Sequence, residues 1–375
     1  MRKKNMKFLR YPSTLSILLF SSLLLSACAG RQAEVAYRPV AFADLPGWSQ
    51  DDLQGLRGAL ARSCTVMRQP LWQEVCNKLP MTDAGLRAYL ETHFRPWRVL
   101  GEAGPTGLFT GYYAPELRAS RTQGGVYQTP LYGLPRDLLQ ADLGAFKSEW
   151  RGQKLTGRAE GNRFVPYPAR AAIVGVALDA PVLAWAADPV EAFFLQVQGS
   201  GVLRFPDGTT ENIGYAGQNG RPYVAIGKVL KERGAFPDGV VTMQSIRAWL
   251  AAHPAEQDAI LNQNPSYVFF KPAAAATGAQ GVVLTPERSL AVDRRFMPLG
   301  APVWLDAEHP AGGRLQRLLV AQDTGGAIKG AVRGDVYWGV GEGAAALAGV
   351  MQSQGDYFLL LPLALAPPGA VADGR

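Results

Sequence analysis

Two carboxylates, Asp323 and Asp335, lie in the run AQDTGGAIKGAVRGDVYWG at residues 321–339, among glycines and small residues that end in two aromatics. An acid beside an aromatic ring suits work on sugars, because cleavage of a glycosidic bond needs a general acid and sugar rings stack on aromatic rings. If this segment is a strand, Asp335 and Tyr337 share one face, since side chains alternate along a strand. The pattern then places an acid next to a sugar platform formed by Tyr337 and Trp338.

Three other interpretations fit parts of the same run. A calcium-binding EF-hand loop needs oxygen ligands at its third and fifth positions and a closing glutamate. Counting from Asp323, these positions are Gly325 and Ala327 and no glutamate closes the loop, so we reject that interpretation. The tripeptide DTG is typical of aspartic proteases, but their dyad needs two such motifs and this chain has one, followed by Gly326. A turn-capping aspartate followed by core aromatics also explains Asp335 and its neighbours, and the residues alone leave that alternative open.

Composition and charge argue against several other classes of function. The three histidines, His93, His253 and His309, are scattered without ligand spacing, so we expect neither a metal site nor a Ser-His-Asp relay, and no cofactor. The formal net charge of +7 falls to about +2 without the five positive charges of the N-terminal signal, and nothing indicates a nucleic-acid partner. Cys64 and Cys76 either form a disulfide or remain a reduced pair.

The N-terminus has the pattern of a bacterial export signal. A basic start precedes TLSILLFSSLLLSA, an apolar stretch too short to span a bilayer comfortably, which ends in Leu25-Ser26-Ala27-Cys28. These four residues resemble the lipobox of bacterial lipoproteins, which predicts that Cys28 is lipidated and begins the mature protein. An ordinary signal peptide with a chance cysteine is the alternative. Ala29 stands where aspartate would favour the inner membrane, so the expected location is the outer membrane, facing the periplasm.

The elements that must position the acids are mostly short strands. Apolar residues recur at three and four positions from about 45 to 100 and again at about 227–264, which predicts helices there. Most of the remaining pattern has a period of two with breaks at glycine and proline, which predicts a mainly β protein with a few helices. In FFLQVQGSG, Gln196, Gln198 and Ser200 alternate, so we expect a hairpin strand with all three on one face as a sugar-binding wall; a solvated face is the alternative.

Eight segments taken together resemble a known enzyme family. In chain order they are LSAC, FTGYYAPEL (109–117), FFLQVQGSG (193–201), GYAGQNGRPY (214–223), NPSYVFF (264–270), AVDRRFMPLG (291–300), DTGGAIKG (323–330) and GDVYWG (334–339). This ordered set resembles the membrane-bound lytic murein transglycosylase A family and covers nearly all of the chain after the signal. Asp293, Asp323 and Asp335 look like the three-aspartate module of that family.

The resemblance implies a fold of two parts. A double-psi β-barrel domain would be built from the N-terminal segment and the C-terminal third, a second β domain would be inserted in the middle, and a substrate groove would lie between them. The expected boundaries are 1–28 for the signal, 29–43 for a tether, 44–113 and 241–366 for the barrel domain, 114–240 for the insertion and 367–375 for a disordered tail.

The resemblance also implies an activity. Lytic transglycosylases cut the β-1,4 bond between N-acetylmuramic acid and N-acetylglucosamine in peptidoglycan without water. One acid protonates the leaving oxygen, and the same group then takes a proton from the muramyl C6 hydroxyl as that oxygen attacks C1, which leaves a 1,6-anhydromuramyl end. One carboxylate can suffice because the nucleophile belongs to the substrate. The alternatives are a muramidase that hydrolyses the same bond and a non-catalytic peptidoglycan-binding lipoprotein.

Motif matching suggests roles for individual residues. Asp335 is the expected acid/base, and its apolar neighbours would raise its pKa by desolvation. Asp323 is expected to position Asp335 or to stabilise the transition state. Asp293 is expected to be a structural residue of a turn or of the barrel, with direct catalysis as the alternative. The expected substrate-binding residues are Thr110, Tyr112, Gln196, Gln198, Ser200, Tyr337, Trp338 and Lys329.

The expected partners follow from the same resemblance. They are the glycan strands of peptidoglycan and, through Cys28, the lipid of the membrane; cell-wall synthases or divisome proteins are further candidates. Lys329 would meet the carboxylates of the peptide stems or simply be solvated. No nucleic acid is expected among the partners.

Overall fold

The structure, a computed structural model, describes residues 35–176, 178–236, 239 and 241–371. The expected lipidation site Cys28 therefore lies outside the described residues. Within them, no helix combines the length and the apolar character that a bilayer crossing requires.

The described residues form 17 strands and nine α-helices, with a few short 3-10 turns. The strands are β1 (Ala36–Pro39), β2 (Phe94–Leu100), β3 (Thr106–Ala114), β4 (Glu116–Ser120), β5 (Thr129–Tyr132), β6 (Leu139–Asp142), β7 (Lys154–Glu160), β8 (Arg163–Pro166), β9 (Val182–Ala186), β10 (Ser200–Arg204), β11 (Thr210–Gln218), β12 (Val268–Ala273), β13 (Ser289–Val292), β14 (Pro302–Glu308), β15 (Arg314–Asp323), β16 (Arg333–Val340) and β17 (Gln352–Pro362). The helices are α1 (Leu56–Cys64), α2 (Pro70–Cys76), α3 (Leu86–His93), α4 (Arg170–Ile173), α5 (Pro189–Gln198), α6 (Ile226–Glu232), α7 (Met243–Ala252), α8 (Gln257–Leu261) and α9 (Gly341–Ala348). The predicted class, mainly β with a few helices, is confirmed.

Six of the strands close into a ring. β17 pairs with both β14 and β3, and the ladder runs from β14 through β15, β13 and β16 back to β3. Residues 352–356 of β17 pair with β3 and residues 355–359 pair with β14, so the strand passes from one neighbour to the other at Gly355. A Cβ there would lie 2.6 Å from the Asp306 carbonyl oxygen, so a glycine is needed at this crossing. The ring supports the expected barrel, and its double-psi connection stays a prediction.

Two further sheets stand apart from the ring. One has six strands in the order β12-β11-β10-β4-β9-β5, and the other has β6, β7 and β8. The chain passes from the ring to the six-stranded sheet at Pro115, the single residue between β3 and β4. β12 lies beyond residue 240, where the insertion was expected to end, yet it pairs with β11. This sheet therefore contains strands that precede helices α6, α7 and α8 in the sequence and one strand, β12, that follows them.

Both stretches with helical periodicity contain helices. α1, α2 and α3 fall in the first stretch, and α6, α7 and α8 fall in the second. The end of α1 is joined to the end of α2 by a disulfide between Cys64 and Cys76, whose Cα atoms are 5.6 Å apart. The structure thus selects the disulfide from the two alternatives that the sequence left open.

The strand predicted at FFLQVQ is wrong, because these residues belong to helix α5. The Asp188 side chain caps the start of the helix by accepting backbone N–H bonds, and Gly199 ends it in a left-handed conformation with φ of 82°. Gln196 and Gln198 are two positions apart on a helix, which turns their side chains roughly 200° from each other. Ser200 lies outside the helix, at the start of β10. The three residues therefore do not share a strand face.

Candidate active site

The two acids of the DTGGAIKGAVRGD run lie on either side of one strand. Ala291 of β13 is the register partner of Asp335 in the antiparallel neighbour β16 and of Asp323 in the parallel neighbour β15. Residues opposite each other in register project from the same face of a sheet, and two strand spacings amount to roughly 10 Å between Cα atoms. Both carboxylates therefore project from one face of three adjacent strands.

A β-bulge in β15 turns Asp323 onto that face. The register between β13 and β15 slips by one residue just before Asp323, which leaves Gln322 as the extra residue. The Gln322 side chain is fully buried, and its Nε2 donates to the Ala59 carbonyl at 2.9 Å and to Ser63 Oγ at 2.8 Å, both in α1. Bulges re-aim side chains at functional sites. Here the bulge turns Gln322 into the core and leaves Asp323 on the face of the sheet that also carries Asp335.

Asp335 is held by the neighbouring strand β3. β16 and β3 run parallel with Asp335 opposite Thr110, and Thr110 Oγ1 donates a hydrogen bond to Asp335 Oδ1 at 2.6 Å. Burial raises the pKa of Asp335 to about 6, although the bond from Thr110 and the charge of Arg333 act in the opposite direction. With such a pKa, an appreciable fraction of the molecules carries the proton near neutral pH and can give it to a leaving group.

Asp323 is the more heavily hydrogen-bonded of the two acids. Tyr112 donates its hydroxyl to Oδ2 at 2.9 Å, and the backbone N–H groups of Ala279 and Thr324 donate to Oδ1, each at 2.8 Å. Burial raises the pKa of Asp323, while these three bonds act to lower it. Most of its lone pairs are thus engaged by the protein.

Asp293 follows β13 directly and makes a different set of contacts. Its carboxylate is ion-paired with Arg295 at 2.5 Å and accepts a hydrogen bond from the Gly330 backbone N–H at 2.9 Å. Burial alone would raise the pKa of Asp293, but the bonds from Arg295 and Gly330 outweigh it and bring the pKa to about 2. Asp293 therefore stays ionised and ties the β15–β16 loop to the turn after β13.

The aromatic residues beside Asp335 divide between the two faces of β16. Tyr337 and its register partner Tyr112 are both buried and pack ring against ring, with centroids 5.2 Å apart. Trp338 points the other way into the barrel core, where a Cβ on Gly111 would lie only 2.5 Å from its Nε1. Trp338 is therefore a core residue that is not available to stack on a sugar, and the ring of Tyr337, 2% exposed, has no open face.

The three residues expected to form a sugar-binding wall have partners within the protein. Gln196 is buried and accepts a hydrogen bond from Arg170 Nη2 at 2.6 Å. Gln198 accepts from the backbone N–H of Tyr113 at 3.1 Å, and Ser200 is buried at the start of β10. The three residues therefore do not form one row of polar side chains on a strand.

The loop between β15 and β16 meets a residue that carried no assigned role. Tyr223, at the end of the GYAGQNGRPY segment, has its Cβ 3.7 Å from where a Cβ on Gly326 would lie. Burial raises the pKa of Tyr223, and the charge of Asp335 raises it further. Tyr223 is 38% exposed and so can meet a ligand, and Lys329 is exposed in the same loop.

Arg333 is a second residue that no pattern in the sequence singled out. It begins β16, is half-buried, and its Nη2 donates to Thr110 Oγ1 at 2.9 Å. Its contact spans 223 positions of the chain, so spacing alone could not reveal it. Among the described residues, no group of three or more His, Cys, Asp or Glu side chains is arranged to hold a metal ion.

Two known domain families match consecutive parts of the chain. The MltA specific insert domain matches residues 108–271 and the 3D domain matches residues 288–361. The first match includes Thr110, and the second includes Asp323 and Asp335.

Whole proteins and solved structures are similar as well. Membrane-bound lytic murein transglycosylase A of Escherichia coli strain K12 is 38% identical over 262 residues, or 67% of this chain and 65% of that protein. The chain thus matches just under two thirds of the length of this curated relative. A monoclinic crystal structure of MltA from Neisseria gonorrhoeae has a TM-score of 0.78 and 36% identity, covering 90% of this chain and 96% of that one. The crystal structure of E. coli MltA with bound chitohexaose has a TM-score of 0.61 and 30% identity, covering 87% and 91%.

Proposed function

This chain belongs to the membrane-bound lytic murein transglycosylase A family, and from that premise we propose that it cleaves peptidoglycan by the non-hydrolytic route. The bond cut is the β-1,4 link between N-acetylmuramic acid and N-acetylglucosamine, and the product carries a 1,6-anhydromuramyl end. The observation that carries the proposal is one half-buried acid, Asp335, whose pKa of about 6 lets it serve first as acid and then as base.

The first step is protonation of the leaving oxygen by Asp335. With a pKa of about 6, roughly a tenth of the molecules hold this proton at pH 7, and half hold it at pH 6. An ordinary aspartate, with a pKa near 3.9, would hold it about a hundred times less often at pH 7. Burial beside Tyr337 and the other apolar residues of this face therefore contributes to catalysis, because it increases the fraction of Asp335 that is protonated.

The second step uses the carboxylate that the first step leaves behind. Asp335 takes the proton of the muramyl C6 hydroxyl while the C6 oxygen attacks C1, and the acid is restored for the next turnover. Because the nucleophile is held in the same sugar ring, its effective concentration is high without a second protein group to position it.

The contacts of Asp323 favour this route over hydrolysis. A hydrolytic enzyme that inverts uses its second carboxylate to activate water. Asp323 instead accepts three hydrogen bonds from the protein, which leaves little of the carboxylate free for water. Its place on the same face as Asp335 supports a role in stabilising the positive charge that develops on the sugar.

The setting of the enzyme is part of the same proposal. We infer that Cys28 is lipidated and anchors the protein in the outer membrane, with the glycan strand lying between the barrel and the six-stranded sheet. The curated relative is named as membrane-bound, and Tyr223, reached from the six-stranded sheet, meets the loop of the acids at Gly326. Lys329, exposed in that loop, would meet the carboxylates of the peptide stems.

The experiment is mass spectrometry of the products released from purified peptidoglycan by the mature chain carrying Cys28→Ser. Muropeptides one water lighter than muramidase products are the expected result, and they should be absent with Asp335→Asn. Asp258→Asn, an exposed acid in α8, is the matched control and should cut normally. Products of full hydrolytic mass would make the protein a muramidase, and binding without cleavage would make it a wall-binding lipoprotein.

A further inference from the structure

Arg333 contacts the catalytic acid only through a threonine. Its Nη2 donates to Thr110 Oγ1 at 2.9 Å, and its Nη1 donates to the Leu108 carbonyl at 3.2 Å and to the Gly334 carbonyl. Thr110 Oγ1 lies 2.6 Å from Asp335 Oδ1, so guanidinium, hydroxyl and carboxyl form a chain. The three groups come from two parallel strands, β3 and β16, whose register fixes their spacing.

The donor and acceptor atoms of Arg333, Thr110 and Asp335 fix the direction of the two hydrogen bonds between them. A guanidinium has only donors, so the oxygen of Thr110 must accept from Arg333. The hydroxyl hydrogen of Thr110 is then left for Asp335 Oδ1, its acceptor among the described residues. Without Arg333 the hydroxyl could rotate and accept the acid proton from Oδ1 instead, which would hold that proton away from the substrate.

We propose that Arg333 is a positioning residue that fixes the Thr110 hydroxyl as a donor to Oδ1 and thereby keeps the transferable proton of Asp335 on Oδ2. This inference rests on the proposed function of Asp335 as the acid. Among the described residues, no protein group donates to Oδ2, so this oxygen is free to hold the proton.

A second arginine-aspartate pair in the same protein shows why the threonine matters. Asp293 and Arg295 are also two residues apart, but they touch directly at 2.5 Å, and the pKa of Asp293 is about 2. A direct ion pair of that kind at Asp335 would hold it ionised and useless as an acid. With Thr110 between them, Arg333 supports the carboxylate formed after proton transfer without removing the proton beforehand.

The first test follows the ionisation of Asp335 without using activity. Carbon-13 NMR of the aspartate carboxyls, with Asp335 assigned by its loss in Asp335→Asn, gives its pKa directly. We expect Arg333→Met and Thr110→Val each to raise this pKa by about half a unit or more, because each removes a group that stabilises the charged form. Arg314→Met, whose arginine pairs with Asp306 on β14, is the control and should leave it unchanged.

The second test is a double-mutant cycle on kcat. Arg333→Met should lower kcat about tenfold in the natural background but less than about twofold in Thr110→Val, because Arg333 acts through that hydroxyl. Arg333→Lys keeps a donor-only group and Thr110→Ser keeps a hydroxyl, so each should recover most of the loss. If Arg333→Met fails to fold, Arg333→Gln replaces it, because an amide can accept from Thr110 as well as donate to it. Equal losses in both backgrounds with an unmoved Asp335 pKa would overturn the proposal.

The two tests separate this inference from the proposed function. If the natural chain releases no anhydromuropeptides, the proposed function fails, whereas the NMR titration still shows whether Arg333 and Thr110 govern the ionisation of Asp335. If anhydromuropeptides form but neither variant moves the titration or couples in kcat, the function stands and the role of Arg333 is wrong.

Discussion

Tyr112 links the two acids: its ring packs on Tyr337, two residues beyond Asp335, while its hydroxyl donates to Asp323 at 2.9 Å. The two tyrosines are register partners in the parallel pair of β3 and β16. A single side chain therefore ties the strand of the proposed acid to the carboxylate that supports it. The hydroxyl and the ring of Tyr112 can be separated by mutation.

Tyr112→Phe should keep the ring packing and lose the bond to Asp323. The pKa of Asp323 should rise further, because the lost bond acts to lower it. We expect the free energy of unfolding to fall by about 1–2 kcal/mol and the cleavage rate to fall roughly tenfold. Urea unfolding and the rate of anhydromuropeptide release measure both. Tyr215→Phe, an exposed tyrosine of β11, is the control, and an equal effect there would contradict a specific role for the Tyr112 hydroxyl.

Asp335→Asn should make the protein more stable at neutral pH. The folded pKa of about 6 lies above the ordinary 3.8, so the folded state holds more protons between these values and the free energy of unfolding falls as pH rises through them. Asparagine cannot ionise, so the variant escapes a loss of about 1–3 kcal/mol at pH 7. Thermal unfolding at a series of pH values should show the two proteins converging near pH 4. A variant that is less stable at pH 7 would speak against the raised pKa.

Asp293→Asn should have the opposite pH dependence. The folded pKa of about 2 lies below the ordinary 3.8, so the stabilisation is present above pH 4 and is lost as pH falls toward 2. We expect the variant to be less stable by about 2 kcal/mol at pH 7 and by little at pH 2. Asp258→Asn, made in an exposed position of α8, should match the natural protein throughout. A pH-independent difference would show that the ion pair with Arg295 is not its source.

Removal of the Cys64–Cys76 disulfide should destabilise helix α1 and, through it, the candidate active site. The bridge closes a short loop and should contribute about 2–3 kcal/mol to the free energy of unfolding. α1 also supplies the Ala59 carbonyl and Ser63 hydroxyl that hold Gln322, so cleavage should be lost at a lower temperature in Cys64→Ser/Cys76→Ser. Urea midpoints with and without reductant measure the effect. Reductant should not change the urea midpoint of the double variant. If reductant also leaves the midpoint of the natural protein unchanged, the prediction is wrong.

The fold class could be predicted from the sequence, and Asp323 and Asp335 could be selected as candidate acids, whereas helix α5 could not be recognised by its period. Most of α5 is buried, so residues 192–196 lack the polar face that gives a helix its periodicity. The signals at its ends were present, since Asp188 and Gly199 are typical cap residues. The two cap residues therefore indicated this helix better than the alternation of polar and apolar residues indicated a strand.

The partners of the acids were beyond prediction for a different reason. Thr110 was selected by its motif, but its bond to Asp335 spans 225 positions, and Arg333 reaches Thr110 across 223. Strand register creates both contacts, and no local pattern encodes a register between distant strands. The burial of Trp338 was similarly hidden, because the face that β16 turns to the core depends on its neighbours in the ring.

The parallel pairing of β3 and β16 also sets the stage of folding at which the proposed acid acquires its raised pKa. In a chain that has not yet folded, Asp335 is an ordinary, ionised aspartate, because its burial and the hydroxyl of Thr110 arrive only when the last third of the chain docks on the first. The proposed acid therefore becomes competent to donate a proton only when this tertiary contact between distant strands has formed.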